Sequence, residues 1–542
     1  MFTKKFWIII FLMFFRNISM AGTVTSNADS GSGTLRRVLN NASGGEIIIF
    51  DLSNKNRTIT LKTHLPIIDQ ALKIDGSNLG GKEVIIDGQN SHPGFFVESG
   101  NPVTIQNLTL NDCVSKGGPG GNAFDGGGGG MGAGGGVFVN DGANVILTNI
   151  TFTVCKANGG RGGSGVDTAL IANGGGGGLG GAGAGDKHFG APIEGGGGGG
   201  LYTNADKRIG GGSGGNGQNA VGAGPDNGGA FGGGGGTNEV NALNHKGGNG
   251  GFAGGGGGAQ HAQGGNGGTG GGGGGSTTKA GNGGKFPGTT SFGGGNGAFG
   301  KDAFAGGGGG AGVGGAIFVR EGGTLTFNSD IDNSQSVTAG TGGKGKSSGQ
   351  NGSADGAAIY IMQNTSITLS TSGTKGISAT TIDQEGVISG QGGVIKSGTG
   401  TYILTGPNNY TGATQINNGT LIVNGSIKSS TVTVGASGTL RGAATVGPLT
   451  VSGKVKPGNS IGTIQVIGNY IQNPGSTYQV EIEPTGGSSK LAITGTAQIN
   501  NLSTIEVTAL SGEYDIDHQY TVLNANGGRT GQYSTFTITN PN

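Results

Sequence analysis

The sequence predicts an all-β protein, a right-handed parallel β-helix that carries a long glycine-rich insertion. One observation is strand punctuation: Tyr402-Ile403-Leu404, Leu421-Ile422-Val423 and Thr431-Val432-Thr433-Val434 are short alternating runs divided by Gly, Asn and Pro-Asn turns, with no helical period. Spacing is another, because strands between residues 45 and 112 recur about every ten to thirteen residues, too close for βαβ units. Composition is the third. Of 542 residues 134 are glycine, while apolar residues make up 32% and charged residues 11%. So few apolar side chains cannot fill a thick core, but a solenoid needs only one narrow inward row.

The chain opens with Lys4-Lys5, an apolar run Phe6–Phe15 and the small residues Ser19-Met20-Ala21. A basic start, a short apolar centre and small residues at the end make a secretory signal, with cleavage expected between Ala21 and Gly22. The run is shorter than the about 20 residues a membrane span requires. The expected location is outside the inner membrane of a Gram-negative bacterium, at the cell surface, in the outer membrane or extracellular. Thr34 then precedes Leu35, Val38 and Leu39, the pattern of a capped short helix with one apolar side. A stack of coils exposes an apolar end and unpaired backbone, and residues 22–44 are placed as its cap.

Strands follow at Glu46–Phe50, Thr58–Leu61, Leu72–Ile74, Val84–Ile86, Gly94–Val97 and Val103–Ile105, two of them ending in Asp-Gly (Asp75-Gly76, Asp87-Gly88). Ile105–Gly118 aligns with Leu147–Gly160, position 113 matching position 155. That register sets Cys113 and Cys155 on neighbouring rungs, about 4.8 Å apart. They are within reach of a disulfide, and equally of a stack of two reduced side chains. These are the only two cysteines, which excludes a disulfide-dense scaffold or a zinc cluster. A second repeat runs Gly134–Val139, Gly314–Val319 and Gly356–Ile361, each followed by another strand.

Between the first two copies lies most of the glycine, in runs such as Gly126–Gly130, Gly195–Gly200, Gly254–Gly258 and Gly306–Gly310. There is no Gly-X-Y period, which excludes collagen. Because glycine loses the most backbone entropy on ordering, composition favours a flexible insertion over residues 161–312. The alternative is a compact sheet of glycine strands, with Phe189, Tyr202, Phe231, Phe252, Phe286, Phe292 and Phe304 as points of attachment.

The chemistry-bearing matches are weak. Gly340–Ser347 fits the phosphate-loop spacing, but Ser348-Gly-Gln-Asn-Gly352 follows where a helix must aim its N–H groups at the phosphates, so nucleotide binding is not expected. Gly162–Ala169 resembles one calcium nonapeptide of a β-roll, a motif that requires tandem copies. Asp69, Asp75, Asp87 and Asp112, with Arg57 or Lys82, would suit a calcium-dependent polysaccharide lyase; Asp before Gly more simply satisfies its own turn. His64, His92, His188, His245, His261 and His518 are scattered, with no metal-ligand spacing. Glu481 and Glu483 alternate with Val480 and Ile482 and are placed facing solvent. A net charge of +1 gives no reason to expect nucleic acid as a partner. No cofactor and no metal are expected.

The C-terminal third carries a family resemblance. Gly392-Gly-Val-Ile-Lys-Ser-Gly398-Thr-Gly400, Thr401–Gly406, Asn409-Tyr410-Thr-Gly412 and Asn418-Gly419-Thr-Leu421 closely resemble the passenger-associated repeat of bacterial autotransporters of the type V secretion system. Pro457-Gly458-Asn459-Ser460-Ile461-Gly462, Gly468-Asn-Tyr470 and Gly475–Glu481 are similar to the C-terminal junction, or autochaperone-like, region of such passengers. The Gly-Gly-Ala-Ile strands are partly similar to polymorphic outer-membrane adhesins, with Phe152-Thr-Val-Cys155 altered from that family's partner motif. The resemblance implies a junction motif at Pro457, Gly458, Asn459, Ser460 and Gly462. It also implies a translocator barrel as partner, which this chain does not contain. The expected organisation is signal peptide 1–21, cap 22–44, coils 45–160, glycine-rich insertion 161–312, coils 313–391, repeat coils 392–452 and C-terminal region 453–542. The expected function is a non-enzymatic, adhesin-like surface or secreted passenger, with a host or neighbouring cell surface as partner. The alternatives are an exported β-helical polysaccharide lyase or hydrolase and a structural surface protein whose glycine region self-associates.

Overall fold

The computed structural model describes residues 21–52, 56–77, 83–167, 172–185, 196–205, 214–216, 225–237, 245–301, 303–370, 381–384, 386–515 and 517–539. The segment expected as a signal peptide lies outside them but for Ala21, which opens the first strand, Ala21–Val24, opposite Ile47. Successive rungs pair in parallel from this strand to Thr535–Thr539, as a β-helix requires. The long sheet holds 22 strands; the other faces are two five-stranded and two three-stranded sheets. Every pairing between the named strands is parallel, so each connection must carry the chain round a full coil before it pairs again.

The predicted short helix is present. Helix Leu35–Asn41 starts at Thr34, whose hydroxyl accepts from the Arg37 N–H, and buries Leu35 and Leu39 over the first rung. Inside the coils one apolar row stacks on the next: Val103 pairs with Val145, Val145 with Leu325 and Leu325 with Ile367, all buried. Neighbouring rungs are 42 positions apart at Asn107 and Asn149, but 180 apart at Asn140 and Arg320. The glycine-rich segment therefore leaves and returns between two adjacent rungs without breaking the stack.

One sheet is buried on both faces, which explains why its strands are continuously apolar. It stacks Phe95–Val97, Val137–Val139, Ile317–Val319, Ile359–Ile361 and Ile388–Gly390. Phe95, Val137, Ile317 and Ile359 point into the solenoid core. The alternate positions Phe96, Phe138, Phe318 and Tyr360 form an outer file, with ring centroids 4.5, 4.9 and 5.9 Å apart. The repeated glycine that leads into these strands has positive φ each time (Gly134 62°, Gly314 63°, Gly356 71°), a conformation costly for any residue with a Cβ.

The outer file supports the glycine-rich segment, and truncating its centre tests that role. Phe138→Ala is expected to cost about 3–5 kcal/mol and to release the glycine segment. Chemical denaturation with limited proteolysis should show loss of the first transition and cleavage within 161–312; a variant as stable and as resistant as the parent would refute the dependence.

Candidate functional site

The described glycines are ordered rather than a flexible insertion, so the compact alternative is the one found. Each short run is an extended strand whose N–H groups point to different neighbours in turn. Gly127 donates to Gly121, Gly128 to Gly256, Gly129 to Gly308 and Gly130 back to Gly118, at 2.7–3.1 Å. Gly174 and Gly177 reach one neighbour (Asp125, Gly128), Gly175 and Gly178 another (Ala184, Gly181), and Gly176 a third (Gly234). A partner that recurs every third residue identifies an extended helix of about three residues per turn. Such a helix makes no internal hydrogen bonds and leaves its backbone to water; here neighbouring strands replace the water. The lattice also draws in residues 117–131 and 340–352, outside the expected insertion boundaries.

Only glycine fits this packing. A Cβ on Gly128 would stand 2.0 Å from the Gly272 carbonyl oxygen, and one on Gly255 2.1 Å from that of Gly128. Each glycine costs about 1–2 kcal/mol of backbone entropy to order, offset by a hydrogen bond worth a net 0.5–1.5 kcal/mol or so and by close packing. The balance is narrow, and both ends of the lattice are tied down by side chains.

At one end the tie is aromatic. Phe231 inserts edge-on between Phe96 and Phe138, at 5.4 and 5.7 Å, and Phe286 packs on Tyr360 at 5.0 Å. The Arg320 guanidinium lies 4.1 Å over the Phe252 ring and donates to Asn140 Oδ1, whose amide in turn donates to Glu98. Tyr202 stacks on His64 at 4.1 Å, and His64 meets His92 ring to edge at 5.2 Å. Sequence spacing separates these histidines, but coil geometry joins them. Burial, then the neighbouring His92 and Arg36, pushes the His64 imidazole down to about 4. Phe189 falls outside the described residues.

At the other end the tie is polar. Asp125, Asn173, Thr237 and Ser276 are all buried. Asn173 accepts from the Asp125 N–H at 3.0 Å and donates to Thr237 at 2.7 Å. Asp125 Oδ1 accepts from the Ala305 N–H at 3.0 Å, while Oδ2 has no partner. Desolvation therefore outweighs hydrogen bonding and raises this carboxyl to about 8.

The weak motifs resolve into structure. Gly340 and Gly343 of the phosphate-loop match donate to Gly310 and Gly307 as lattice strands, and Gly162 of the nonapeptide match donates to Thr341. Asp75 and Asp87 accept from the backbone of Ser77 and Gln89, as the turn reading requires. Lys82 is outside the described residues. Glu481 does not face bulk solvent as alternation suggests; it pairs with Lys456 at 2.6 Å. Cys113 and Cys155 occupy the adjacent rungs expected, since Thr153 pairs with Asn111 and Lys156 with Val114. Both side chains are buried. Each thiol is directed to a carbonyl of the preceding rung, Cys113 to Ile86 and Cys155 to Leu110. Among the described residues no group of three His, Cys, Asp or Glu could hold a metal, and no imidazole hydrogen-bonds a serine or a carboxylate.

The C-terminal coils are tighter. Gly393–Ser397, Thr401–Leu404 and Thr414–Val423 close successive short turns around buried Tyr402, Tyr410, Leu421 and Val423. Lys396 is fully buried, and its ammonium donates to the carbonyls of Ser397, Gly398 and Asn418. Burial lowers it to about 8. This coil, residues 394–423, matches the family model of the passenger-associated-transport-repeat. The chain resembles an autotransporter passenger. Two extracellular serine proteases of Serratia marcescens are similar to it, one 39% identical over 160 residues and the other 33% identical over 156. Each match takes in 27% of this chain and 15% of the relative, so the chain spans a small part of those proteins. The region read as the passenger junction is a corner between sheets. Pro457 ends a strand, Gly458 (φ 86°) donates to Gly442, Asn459 donates to Asn424, Ser460 accepts from Ser489 and Gly462 accepts from the Lys490 N–H.

Composition favours the flexible reading over the compact one because it does not reveal a partner for each strand. The signal for the compact one was the recurrence of Gly-Gly-Asn-Gly at 247–250 and 264–267, with Asn282 and Asn296 in like settings.

Two outcomes follow. The Asp125 carboxyl stabilises the fold when protonated: its contribution is complete below the unfolded value near 4 and is lost as pH rises through about 8. Asp125→Asn, which keeps the Oδ1 acceptor without the charge, is expected to gain melting temperature over the parent progressively between pH 4 and 8; a constant difference would overturn this. In the passenger repeat, Lys396→Met strips the donor from three carbonyls and is expected to cost about 1–3 kcal/mol, read as a lower denaturant midpoint. An unchanged midpoint would show that water replaces the ammonium.

Proposed function

We propose that this chain is the passenger of an autotransporter-type export system and acts, without catalysis, as an adhesin-like surface or secreted protein. The observation that carries the reading is the glycine lattice fastened to the flank of a β-helix. The solenoid provides a stiff stalk; the lattice presents a rigid side body made almost wholly of backbone and turns. A rung-by-rung stack can fold as it emerges from one end, which suits export through a pore. The passenger repeat at 394–423 supports the same route. The relatives are named as proteases, and peptidase or polysaccharide-cleaving activity would contradict the non-catalytic reading.

Deleting residues 160–310 joins two strand sets that already belong to adjacent rungs, Val137–Val139 and Ile317–Val319. The expected result is a protein that is still exported but no longer adheres to host or neighbouring cells. Adherence equal to that of the full chain, or cleavage of a casein or polyuronate substrate by the purified full chain, would overturn the proposal.

A further inference from the structure

One exposed face of the lattice is built with more order than backbone pairing requires. The strands ending at Asn249, Asn266 and Asn282 lie side by side: Gly247 donates to Gln263 at 3.1 Å and Gly264 to Lys279 at 2.9 Å. Three positions later, Gly250 donates to Asn266 and Gly267 to Asn282, both at 2.9 Å. In a helix of about three residues per turn, residues i and i+3 face the same way. Lys246, Gln263 and Lys279 therefore form one file, and Asn249, Asn266 and Asn282 a second file parallel to it on the same face. Asn227 extends the second file by one strand.

The asparagine file is a ladder. Oδ1 of Asn227 accepts from the Asn249 N–H at 2.7 Å, Oδ1 of Asn249 from Asn266 at 2.8 Å and Oδ1 of Asn266 from Asn282 at 2.9 Å. The amides of Asn227, Asn249 and Asn266 are thereby each held in one orientation. In the file each Nδ2 has no partner in the protein among the described residues, and three of the four side chains are exposed. Between the files, Gly247, Gly248 and Gly264 form the floor of a polar groove of about 210 Å³. Lys246 and Lys279 are exposed and carry no ion pair among the described residues; the nearby Asp226 carboxylate is engaged by the Asn216 amide at 2.9 Å.

We propose that this groove binds an extended anionic polysaccharide, a polyuronate chain laid across the strands. Oriented amide donors recur along it at the inter-strand spacing of about 4.8 Å, comparable to the ring repeat of such a polymer. The lysine file supplies the charge that an uncharged glycan would not use, while the glycine floor admits a sugar ring close to the backbone. This names the ligand class for the adhesin-like reading and rests on it only in that both place binding on the lattice.

The test uses the full exported chain in affinity electrophoresis through gels containing polygalacturonate, alginate or neutral dextran. The parent is expected to be retarded by the polyuronates, less so at high salt, and to run freely in dextran. Asn249→Asp with Asn266→Asp keeps each ladder acceptor, removes the outward donors and adds repelling charge; it should abolish retardation at an unchanged melting temperature. Lys246→Ala with Lys279→Ala, which leaves the ladder intact, should weaken it by about tenfold. No retardation of the parent, equal retardation in dextran, or an Asn→Asp variant that behaves as the parent would each overturn the proposal. Adherence that requires the lattice without polyuronate binding would remove the groove and leave the adhesin reading. Polyuronate binding with adherence indifferent to lattice deletion would do the reverse.

Discussion

The backbone hydrogen bond between neighbouring extended strands is the interaction on which this molecule depends. A chain with 32% apolar residues cannot be held chiefly by side-chain burial. Its two bodies solve the problem in different ways. In the solenoid, each rung's N–H and C=O groups pair with the rungs on either side, and one inward row of Val, Leu, Ile and Phe excludes water from that pairing. In the lattice the pairing runs outward in three directions, so no side chain is needed to exclude water, and at positions such as Gly128 and Gly255 none is tolerated. The same rule, that a buried backbone group must have a partner, thus yields an apolar core in one body and an almost side-chain-free core in the other.

Joining two such bodies requires a surface that suits both. The sheet from Phe95–Val97 to Ile388–Gly390 is that surface because its strands alternate between two cores. Phe138 reaches outward to Phe231, while Val137 and Val139 face inward. Aromatic rings suit the outer position, since a flat ring covers glycine backbone without entering the space a carbonyl occupies. At the opposite end a carboxyl and three other polar side chains close the lattice, and there burial comes at the cost of an orphaned oxygen on Asp125.

Much of the fold was legible in the sequence, because a solenoid repeats its instructions. The alternation at Tyr402–Leu404, the register of Cys113 with Cys155 and the Thr34 cap each follow from local pattern and fix a position in the stack. The glycine body was not legible in the same way. Gly126–Gly130 is compatible with a disordered tether or a lattice strand, and the difference lies in whether partners such as Gly256 and Gly308 come to meet it. That is a tertiary fact. Likewise the pairing of His64 with His92 depends on how the coil turns between them, and the solvent-facing placement of Glu481 failed because strand alternation does not see Lys456 on the rung before.

The passenger repeat shows why the C-terminal coils can be so much shorter than those upstream. A tight coil has little interior, and its corner carbonyls turn inward with nothing to satisfy them. Lys396 supplies three donors on one flexible stem, each directed to a carbonyl of the corner it closes. An uncharged donor of that reach would satisfy fewer groups, and an apolar residue none. Burying the ammonium is costly, yet leaving three carbonyls unpaired in the same space would cost more. A lysine at this position is therefore a solution to a backbone problem, the same problem that glycine solves in the lattice by letting the neighbouring strand come close enough to donate.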